Sequence, residues 1–270
     1  MPVLEDVMTQ SGLKYKVLKL TAASVDELHD LIRQRLAVIC YGAERINIEP
    51  DEYTYKSACR QLTENLARYE DVMQYGLIGE LLMHVLAPHF IDFEAESMSV
   101  ILALQNQNIK PGFDLNFFES ANKKIWYGEV KSGLAVTERQ ELLDRARSGL
   151  RVFFDNIHAT GEKSTRYRWE AAKAEVATIF AQKKKVGLTK LLTSDRSLIG
   201  SGDRGRRNAI LMTVNFGNDN YNDDVSDIET AIERIDRLNN FDEYFVICMH
   251  HEAFTDVIQF LDEEGQSTDD

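Results

Sequence analysis

The residues best suited to chemistry lie in one segment of the 270-residue sequence, GFDLNFFESANKKIWYGEVKSG, which runs from Gly112 to Gly133. Asp114 is followed after fourteen residues by the triplet Glu129-Val130-Lys131. Carboxylate oxygens suit Mg²⁺, which also binds substrate phosphates. The metal can activate a water, and a neighbouring lysine can hold that water and balance phosphate charge. The pattern predicts metal-dependent phosphodiester hydrolysis, although an isolated Glu-x-Lys is more often a solvent-exposed strand face.

The relative position of the two carboxylates follows from the expected hairpin, whose strands are joined by the polar residues 119–124. If Phe118 faces Ile125 in an antiparallel pair, Asp114 lies opposite Glu129, with Cβ atoms about 4.5–5.5 Å apart. Like charges placed in this way destabilise a sheet, and a divalent cation would offset the repulsion. A slip of two residues would keep both carboxylates on one face without pairing them.

A third carboxylate, Glu80, lies in the apolar sequence GLIGELLMHVL, whose spacing predicts a helix over residues 74–86. His84 follows Glu80 by four residues and therefore lies on the same side of that helix. Because the helix precedes the two strands, Glu80 is a candidate for the same metal, directly or through a water. The alternative is a structural pair between Glu80 and His84.

Strands and helices interleave along the chain, which predicts an α/β fold with a central sheet covered by helices. Residues 1–70 are expected to form an N-terminal strand and helices packed on the core, and residues 71–270 the main domain of one continuous globule. Capping boxes are expected at Ser24 with Glu27 and at Thr137 with Gln140, and Pro88 is expected to end a helix. The predicted strands cover residues 14–21, 99–104, 113–118, 125–131, 209–216 and 243–250; the predicted helices cover 25–39, 50–68, 74–86, 137–154, 168–184, 228–238 and 253–263; residues 195–208 are expected to form a loop.

Charge is distributed unevenly along the chain, whose net charge is −13. Residues 139–207 hold 16 basic and 8 acidic residues, whereas residues 208–270 hold 2 basic and 16 acidic ones. Such asymmetry favours a nucleic-acid-binding face, and the alternative is two solvated surfaces of opposite charge. Tyr167 and Trp169 alternate with arginines, as in proteins that bind single strands, or else belong to the core. The candidate phosphate contacts are Arg139, Arg145, Arg147, Arg151, Lys183, Lys184, Lys185, Lys190, Arg196, Arg204, Arg206 and Arg207.

Several classes of protein and site are not supported. No apolar run reaches the length of a membrane span, and the opening residues lack the features of a secretory signal. The three cysteines are expected to be reduced thiols in the cytoplasm. The glycine pattern at residues 200–205 precedes a strand rather than opening a helix, so a dinucleotide site is not expected. Cys248, His250 and His251 lack further ligands at zinc spacing, and a packed strand end is the default.

The order of these elements resembles the PD-(D/E)XK nuclease superfamily over residues 74–154. That pattern is a helical Glu, then Gly-x-Asp, a hairpin and Glu-x-Lys. The sequences GELLMHVL, GxDL and WYGEVKSG together resemble more closely the HamA family, the nuclease component of Hachiman antiphage defence systems.

This resemblance implies a restriction-endonuclease-like central mixed sheet flanked by helices, and a DNA nuclease in residues 71–270. It implies Mg²⁺ or Mn²⁺ bound by Asp114, Glu129 and Glu80, with Lys131 serving the attacking water. It also implies a superfamily 2 helicase, HamB, as partner. The sequence departs from the superfamily at Pro111, which lies three residues before Asp114 rather than next to it.

Two other functions stay open. One is a non-catalytic DNA-binding or regulatory subunit of a helicase complex, against which the intact acidic and lysine positions argue. The other is a nucleotide-binding enzyme that uses the glycine-rich residues 200–205. No Walker A sequence is present, so an ATP-driven step is expected to belong to another protein.

Overall fold

A computed structural model describes residues 8–102, 113–134, 137–158, 165–217, 225–252 and 254–267. Within these ranges, strands and helices interleave as the sequence pattern predicts. The strands are β1 (Met8–Ser11), β2 (Tyr15–Leu20), β3 (Ala95–Ser97), β4 (Leu115–Glu119), β5 (Lys124–Leu134), β6 (Asn208–Phe216) and β7 (Tyr244–His251). The helices are α1 (Val25–Tyr41), α2 (Ala43–Ile48), α3 (Tyr55–Ala67), α4 (Asp71–Phe90), α5 (Arg139–Asp155), α6 (Arg166–Ile179), α7 (Gln182–Gly200), α8 (Ser226–Leu238) and α9 (Phe254–Gln266).

The strands form one mixed sheet in the order β1-β2-β7-β6-β5-β4-β3. The neighbours β2, β7, β6 and β5 are parallel. At one edge β1 pairs antiparallel with β2, and at the other β4 pairs antiparallel with both β5 and β3. Strand β5 is therefore where the parallel part of the sheet meets an antiparallel hairpin. The predicted α/β fold, with a mixed sheet flanked by helices, is confirmed.

Helices cover both faces of the sheet and create two apolar cores. Helices α1, α3, α4 and α9 line the first, called here the α4 core, which includes Leu82. Helices α5, α6, α7 and α8 line the second, called here the α5 core, which includes Trp169. Side chains of β5 alternate between them, with Val130 in the α4 core and Tyr127 in the α5 core. Strand β5 is thus buried on both faces.

Helix α4 lies unusually close to β5, and Gly79 permits this approach. A Cβ atom at Gly79 would lie 1.8 Å from Oγ of Ser132. Residues 77–87 of the helix are all buried, which matches the broad apolar pattern of the sequence. The predicted helix is confirmed but extends further at both ends, and Pro88 lies inside it instead of ending it. Only two residues of α4 follow Pro88, so its missing N–H affects the last turn alone.

The strand predicted over residues 99–104 is wrong in its described part. The strand in this region, β3, ends before it, at Ser97. The N–H of Ile101 instead donates to the carbonyl of Ile39 in α1, at 3.0 Å. The apolar residues here are buried against α1 without forming a ladder, and the sequence pattern does not distinguish the two cases. Residues 103 and 104 lie outside the described residues.

The loop predicted over residues 195–208 is also wrong at its start. Helix α7 continues to Gly200, and Asp195 and Ile199 are both fully buried on it. In contrast, the single helix predicted over residues 168–184 is broken at Phe180, whose backbone is extended. The local pattern of polar residues predicted the wrong end for α7 and missed the break between α6 and α7. Packing in the core, rather than the local sequence, decides which residues are helical here.

Predicted helix starts are the least accurate feature. Ser24 does not cap α1 with its side chain; it forms a capping box with Thr21 around a preceding 3₁₀ turn. Helix α3 begins at Tyr55, where Thr54 accepts the N–H of Ser57 at 3.1 Å, and not at Pro50. Helix α5 follows Glu138, so the expected box at Thr137 is not formed.

Other expectations concern the whole chain. The three cysteines, Cys40, Cys59 and Cys248, are buried and free. Among the described helices, none combines the length and apolarity that crossing a membrane requires. The division of the chain between residues 70 and 71 stays a prediction, although α1 and α3 share the α4 core with α4 itself.

One buried acid ties α7 to β5. Oδ2 of Asp195 accepts a hydrogen bond from Tyr127 at 3.1 Å, and Oδ1 lies 3.7 Å from Nε of Arg206. Burial raises the pKa of Asp195 to about 6, against the opposing effects of Tyr127 and Arg206. A native pKa above the unfolded value stabilises the fold at low pH, and that contribution is lost as the pH rises through about 6.

We therefore expect Asp195→Asn to be more stable than wild type at pH 8, by up to about 3 kcal/mol, with the difference vanishing near pH 4. The amide keeps an acceptor for Tyr127 but carries no charge. The measurement is the free energy of unfolding by urea at several pH values. The exposed Asp51→Asn is the matched control and is expected to show no such pH dependence. A difference that is constant with pH would contradict the assignment.

Candidate active site

The hairpin of β4 and β5 has the register predicted from the sequence. Phe118 pairs with Ile125, and the ladder continues to the pair Leu115 and Gly128. Asp114 and Glu129 occupy the next position along the two strands. Ile125 and Tyr127 point into the α5 core, so Glu129 lies on that face of the sheet as well.

The two strands separate at this position, where the carboxylate of Asp114, rather than a backbone carbonyl, accepts a hydrogen bond from β5. Its Oδ2 accepts the N–H of Val130 at 2.7 Å. The preceding residue, Phe113, turns into the α5 core, where its ring lies 4.7 Å from that of Tyr127. Asp114 is therefore held by backbone on one side and by a buried ring on the other, which fixes its carboxylate beside β5.

Glu129 is a buried carboxylate whose position depends on α5. Only 6% of the residue is exposed, and its Oε1 accepts a bond from Nζ of Lys131 at 2.6 Å. A Cβ atom at Gly149 of α5 would lie 2.7 Å from the same Oε1, so a glycine is needed for this approach. Burial and then the charge of Asp114 raise the pKa of Glu129 to about 7, against the opposing effect of Lys131.

Lys131 lies between the carboxylates of Glu129 and Asp114 and the protein surface. Burial acts to lower its pKa, but the charges of Glu129 and Asp114 outweigh burial and raise it. The ammonium is therefore charged at neutral pH. Its side chain keeps about a third of its surface exposed, 33%. A charged group thus stands at the solvent side of two carboxylates, within reach of an anion from outside.

Glu80 approaches the same point from the other face of the sheet. It is buried on α4, and its Oε1 lies 3.8 Å from Nε2 of His84. Nε2 of His84 in turn lies 3.1 Å from the carbonyl oxygen of Asp114. Nε2 of His84 therefore lies within hydrogen-bond distance of the Asp114 backbone and at ion-pair distance from Glu80, so the i, i+4 pairing considered from the sequence is present.

A metal ion fits the pair Asp114 and Glu129 better than the full predicted set. Two carboxylates on one face, with the pKa of Glu129 raised in part by Asp114, are the arrangement that a cation would stabilise. Mg²⁺ is commonly held by one or two carboxylates together with waters and phosphate. In the described part of the chain, no group of three or more His, Cys, Asp or Glu side chains is arranged to hold a metal. Glu80 as a third ligand stays a prediction.

Two residues near this pair were not assigned to it from the sequence. Gly149 was not considered, and no pattern in a helix interior distinguishes it from other glycines. Arg168 was placed only in the basic segment, yet its charge acts on both Glu129 and Lys131 and tends to lower the pKa of each. Neither residue is adjacent in sequence to the carboxylates, so only the packing of α5 and α6 identifies them.

Many of the basic residues expected to contact DNA form ion pairs within the chain. Arg139, for example, binds Asp227 through two bonds of 2.9 and 2.8 Å. Arg151, Lys183 and Lys190 are exposed. The other pairs are Arg145 with Glu141, Arg147 with Asp144, Lys184 with Glu96, Arg196 with Glu170, Arg206 with Asp195 and Arg207 with Asp155.

A protein-family model described as HamA matches residues 4–264 of the chain. This chain belongs to the HamA family. Membership supports a role as a component of Hachiman antiphage defence. Neither the curated proteins nor the solved structures contain a match to it.

The other motifs of this HamA-family chain fall outside the hairpin site. Residues 200–205 connect the end of α7 to β6, so they do not join a strand to a following helix as a dinucleotide site requires. Trp169 is fully buried, whereas Tyr167 is 49% exposed. His250 and His251 lie buried at the end of β7, as expected for a packed strand end.

The role of Gly149 is open to a direct test. Alanine in a helix is favoured over glycine by about 1 kcal/mol. We expect Gly187→Ala, at a position on α7 with no atom within 4 Å of the new Cβ, to show that gain. Gly149→Ala is expected to lose it because the Cβ displaces Glu129. Urea unfolding measures both, and the gain should return in a Glu129→Ala background. A full gain in the single Gly149→Ala variant would contradict the contact.

Proposed function

We propose that this protein is a metal-dependent DNA nuclease that acts in antiphage defence with a helicase partner. The observation that carries the proposal is the buried Glu129, bound by Lys131 and set beside Asp114 where β4 and β5 part. Membership of the HamA family supports the defence role. The nuclease activity, the metal and the helicase are inferences from this site and from the resemblance of its motifs.

Asp114 and Glu129 would hold the Mg²⁺ or Mn²⁺ ion through carboxylate oxygens. When bound there, such an ion activates a water and stabilises negative charge on a phosphate. The bond from the N–H of Val130 occupies one oxygen of Asp114 and leaves the other for a ligand. Glu129 has its free oxygen, Oε2, for the same purpose, because Lys131 binds Oε1.

Lys131 has two tasks in this proposal. Its ammonium stays charged, so it balances the charge of an incoming phosphate and can donate a hydrogen bond to the attacking water. Its contact with Glu129 and the carbonyl of Val130, at 3.2 Å, fixes the position of the nitrogen. A fixed donor loses little entropy when the substrate arrives, which is the benefit of preorganisation.

Glu80 is proposed to support the metal site through Asp114. The geometry connects it to the Asp114 backbone by way of His84, whereas Glu129 faces the opposite core. A group that orients a metal ligand typically changes metal affinity by about 10- to 100-fold when it is removed. Glu80 is therefore part of the proposed metal site, whether it contacts the ion directly or acts on Asp114 through His84.

The proposal predicts DNA cleavage that requires Mg²⁺ or Mn²⁺ and Lys131. Lys131→Ala and Asp114→Asn are each expected to slow cleavage of linear and circular DNA by at least about a hundredfold, because charge stabilisation is lost. The measurement is the cleavage rate of the purified chain, alone and with its helicase. Lys19→Ala, a lysine substitution on the distant strand β2, is the matched control and should cleave normally.

A folded wild-type chain that leaves DNA intact with both metals, even with the helicase present, would contradict the nuclease assignment. DNA binding under those conditions would support the regulatory subunit instead. Equal cleavage by wild type and Lys131→Ala would point to a contaminating nuclease and remove the support for this site.

Metal binding can be tested without activity. We expect calorimetry to show a Mn²⁺ site that Asp114→Ala abolishes and that Glu80→Gln weakens by about tenfold. Glu96→Gln, a substitution of a partly exposed glutamate on β3, provides the control for lost negative charge and should bind as wild type does. Retained binding in Asp114→Ala would exclude this pair as the site.

A further inference from the structure

Arg168 lies over the aromatic residues that enclose the candidate site. Its guanidinium carbon is 5.6 Å from the centre of the Phe153 ring. Phe153 lies one helical turn after Gly149, the residue that contacts Glu129, and its ring is 4.0 Å from that of Phe113, next to Asp114. The guanidinium is therefore held on the rings at the boundary of α5 and α6, and one of these rings contacts Phe113, the residue before Asp114.

The charge of Arg168 is less compensated than that of the paired arginines in the basic segment. Its Nε donates to the hydroxyl of Tyr167 at 3.3 Å, and in the described ranges it forms no ion pair with a carboxylate. Its charge nevertheless acts on Glu129 and Lys131. Arginines such as Arg139 and Arg207 instead bind acidic side chains.

The side chain is also accessible. Arg168 is partly exposed, and Tyr167 beside it is 49% exposed. Guanidinium presents a planar fork of donors that matches two oxygens of a phosphate. Stacking on Phe153 restricts the side chain in advance, so less entropy is lost when it binds.

We propose that Arg168 binds a backbone phosphate of DNA next to Lys131 and so positions the strand over Asp114 and Glu129. This inference rests on the proposed nuclease function for the identity of the substrate. It assigns to α6 a phosphate contact next to α5, where Arg139 and Arg145 are paired with acids. The cation–π contact with Phe153 orients the guanidinium. Lys131 and Arg168 then bind one phosphate from two sides.

The experiment compares Arg168→Gln with Arg68→Gln, which removes the same charge from the C-terminal cap of α3, a helix on the opposite face of the sheet. Binding of a fluorescent DNA oligonucleotide is measured by anisotropy in EDTA, over a range of salt concentrations. Arg168→Gln is expected to bind about tenfold more weakly than wild type. Its slope of log K against log salt should fall by about 0.7 to 0.9, the effect of one lost phosphate contact.

Arg168→Lys keeps the charge but not the fork, and it is expected to recover the salt slope and only part of the affinity. Thermal unfolding of each variant shows whether the fold is kept. Affinity and slope in Arg168→Gln equal to wild type would overturn the inference, as would an equal loss in Arg68→Gln. Failure of the wild-type chain to bind DNA at low salt would also overturn it.

The two proposals fail separately. If wild type binds DNA without cleaving it, and Arg168→Gln loses binding, the phosphate contact stands while the nuclease activity falls. If wild type cleaves DNA, and Arg168→Gln binds and cleaves equally well, the nuclease stands and Arg168 has no part in it.

Discussion

The repulsion between the half-buried Asp114 carboxylate and the buried Glu129 carboxylate is the constraint around which the centre of this structure is arranged. Asp114 and Glu129 come together on one face of the sheet, where burial weakens the screening that water provides. A different donor stabilises the negative charge of each: a backbone N–H for Asp114, and the ammonium of Lys131 for Glu129. The ladder between β4 and β5 ends here, and α5 presents a glycine here because a side chain at Gly149 would occupy the space of the Glu129 carboxylate. Features that are distant in the sequence thus surround the same pair of carboxylates.

The uneven charge of the chain has a similar explanation in three dimensions. The basic residues 139–207 and the acidic residues that follow appear as separate blocks in the sequence. In the fold, α5 packs on α8, and Arg139 of the first block binds Asp227 of the second. Other arginines of the first block, such as Arg196 and Arg207, bind acids within that same block. A partly buried bidentate pair of this kind orients two helices, whereas an exposed pair contributes little. Much of the apparent nucleic-acid-binding charge is thus used in ion pairs within the molecule, whereas Lys131 and Arg168 carry charge close to the candidate site.

The sequence was most informative where short-range pattern and final environment agree. Alternation predicted which side chains of β4 and β5 share a face, because a shift by one residue would turn all of them to the other face. The register itself, with Phe118 opposite Ile125, was an assumption that the structure confirms. The apolar run of α4 was similarly clear. Prediction failed at helix starts and in α7, where Asp195 is helical and buried because Tyr127 and Arg206 bind it from elsewhere in the chain. The roles of Gly149 and Arg168 could not be predicted, since both depend on how α5 and α6 pack on β5.

Strand β5 belongs to two hydrogen-bonding systems, parallel with β6 and antiparallel with β4. The parallel strands beside it are buried on both faces and tolerate little change, whereas β4 and β3 form the margin of the sheet. Asp114 and Glu129 therefore lie on the border between the parallel interior and the antiparallel margin of the sheet. The ladder to β6 continues past Glu129, whereas the ladder to β4 ends at Leu115, so the backbone N–H of Val130 donates to the Asp114 carboxylate. A change of partner along one strand thus opens a backbone position that a side chain can occupy.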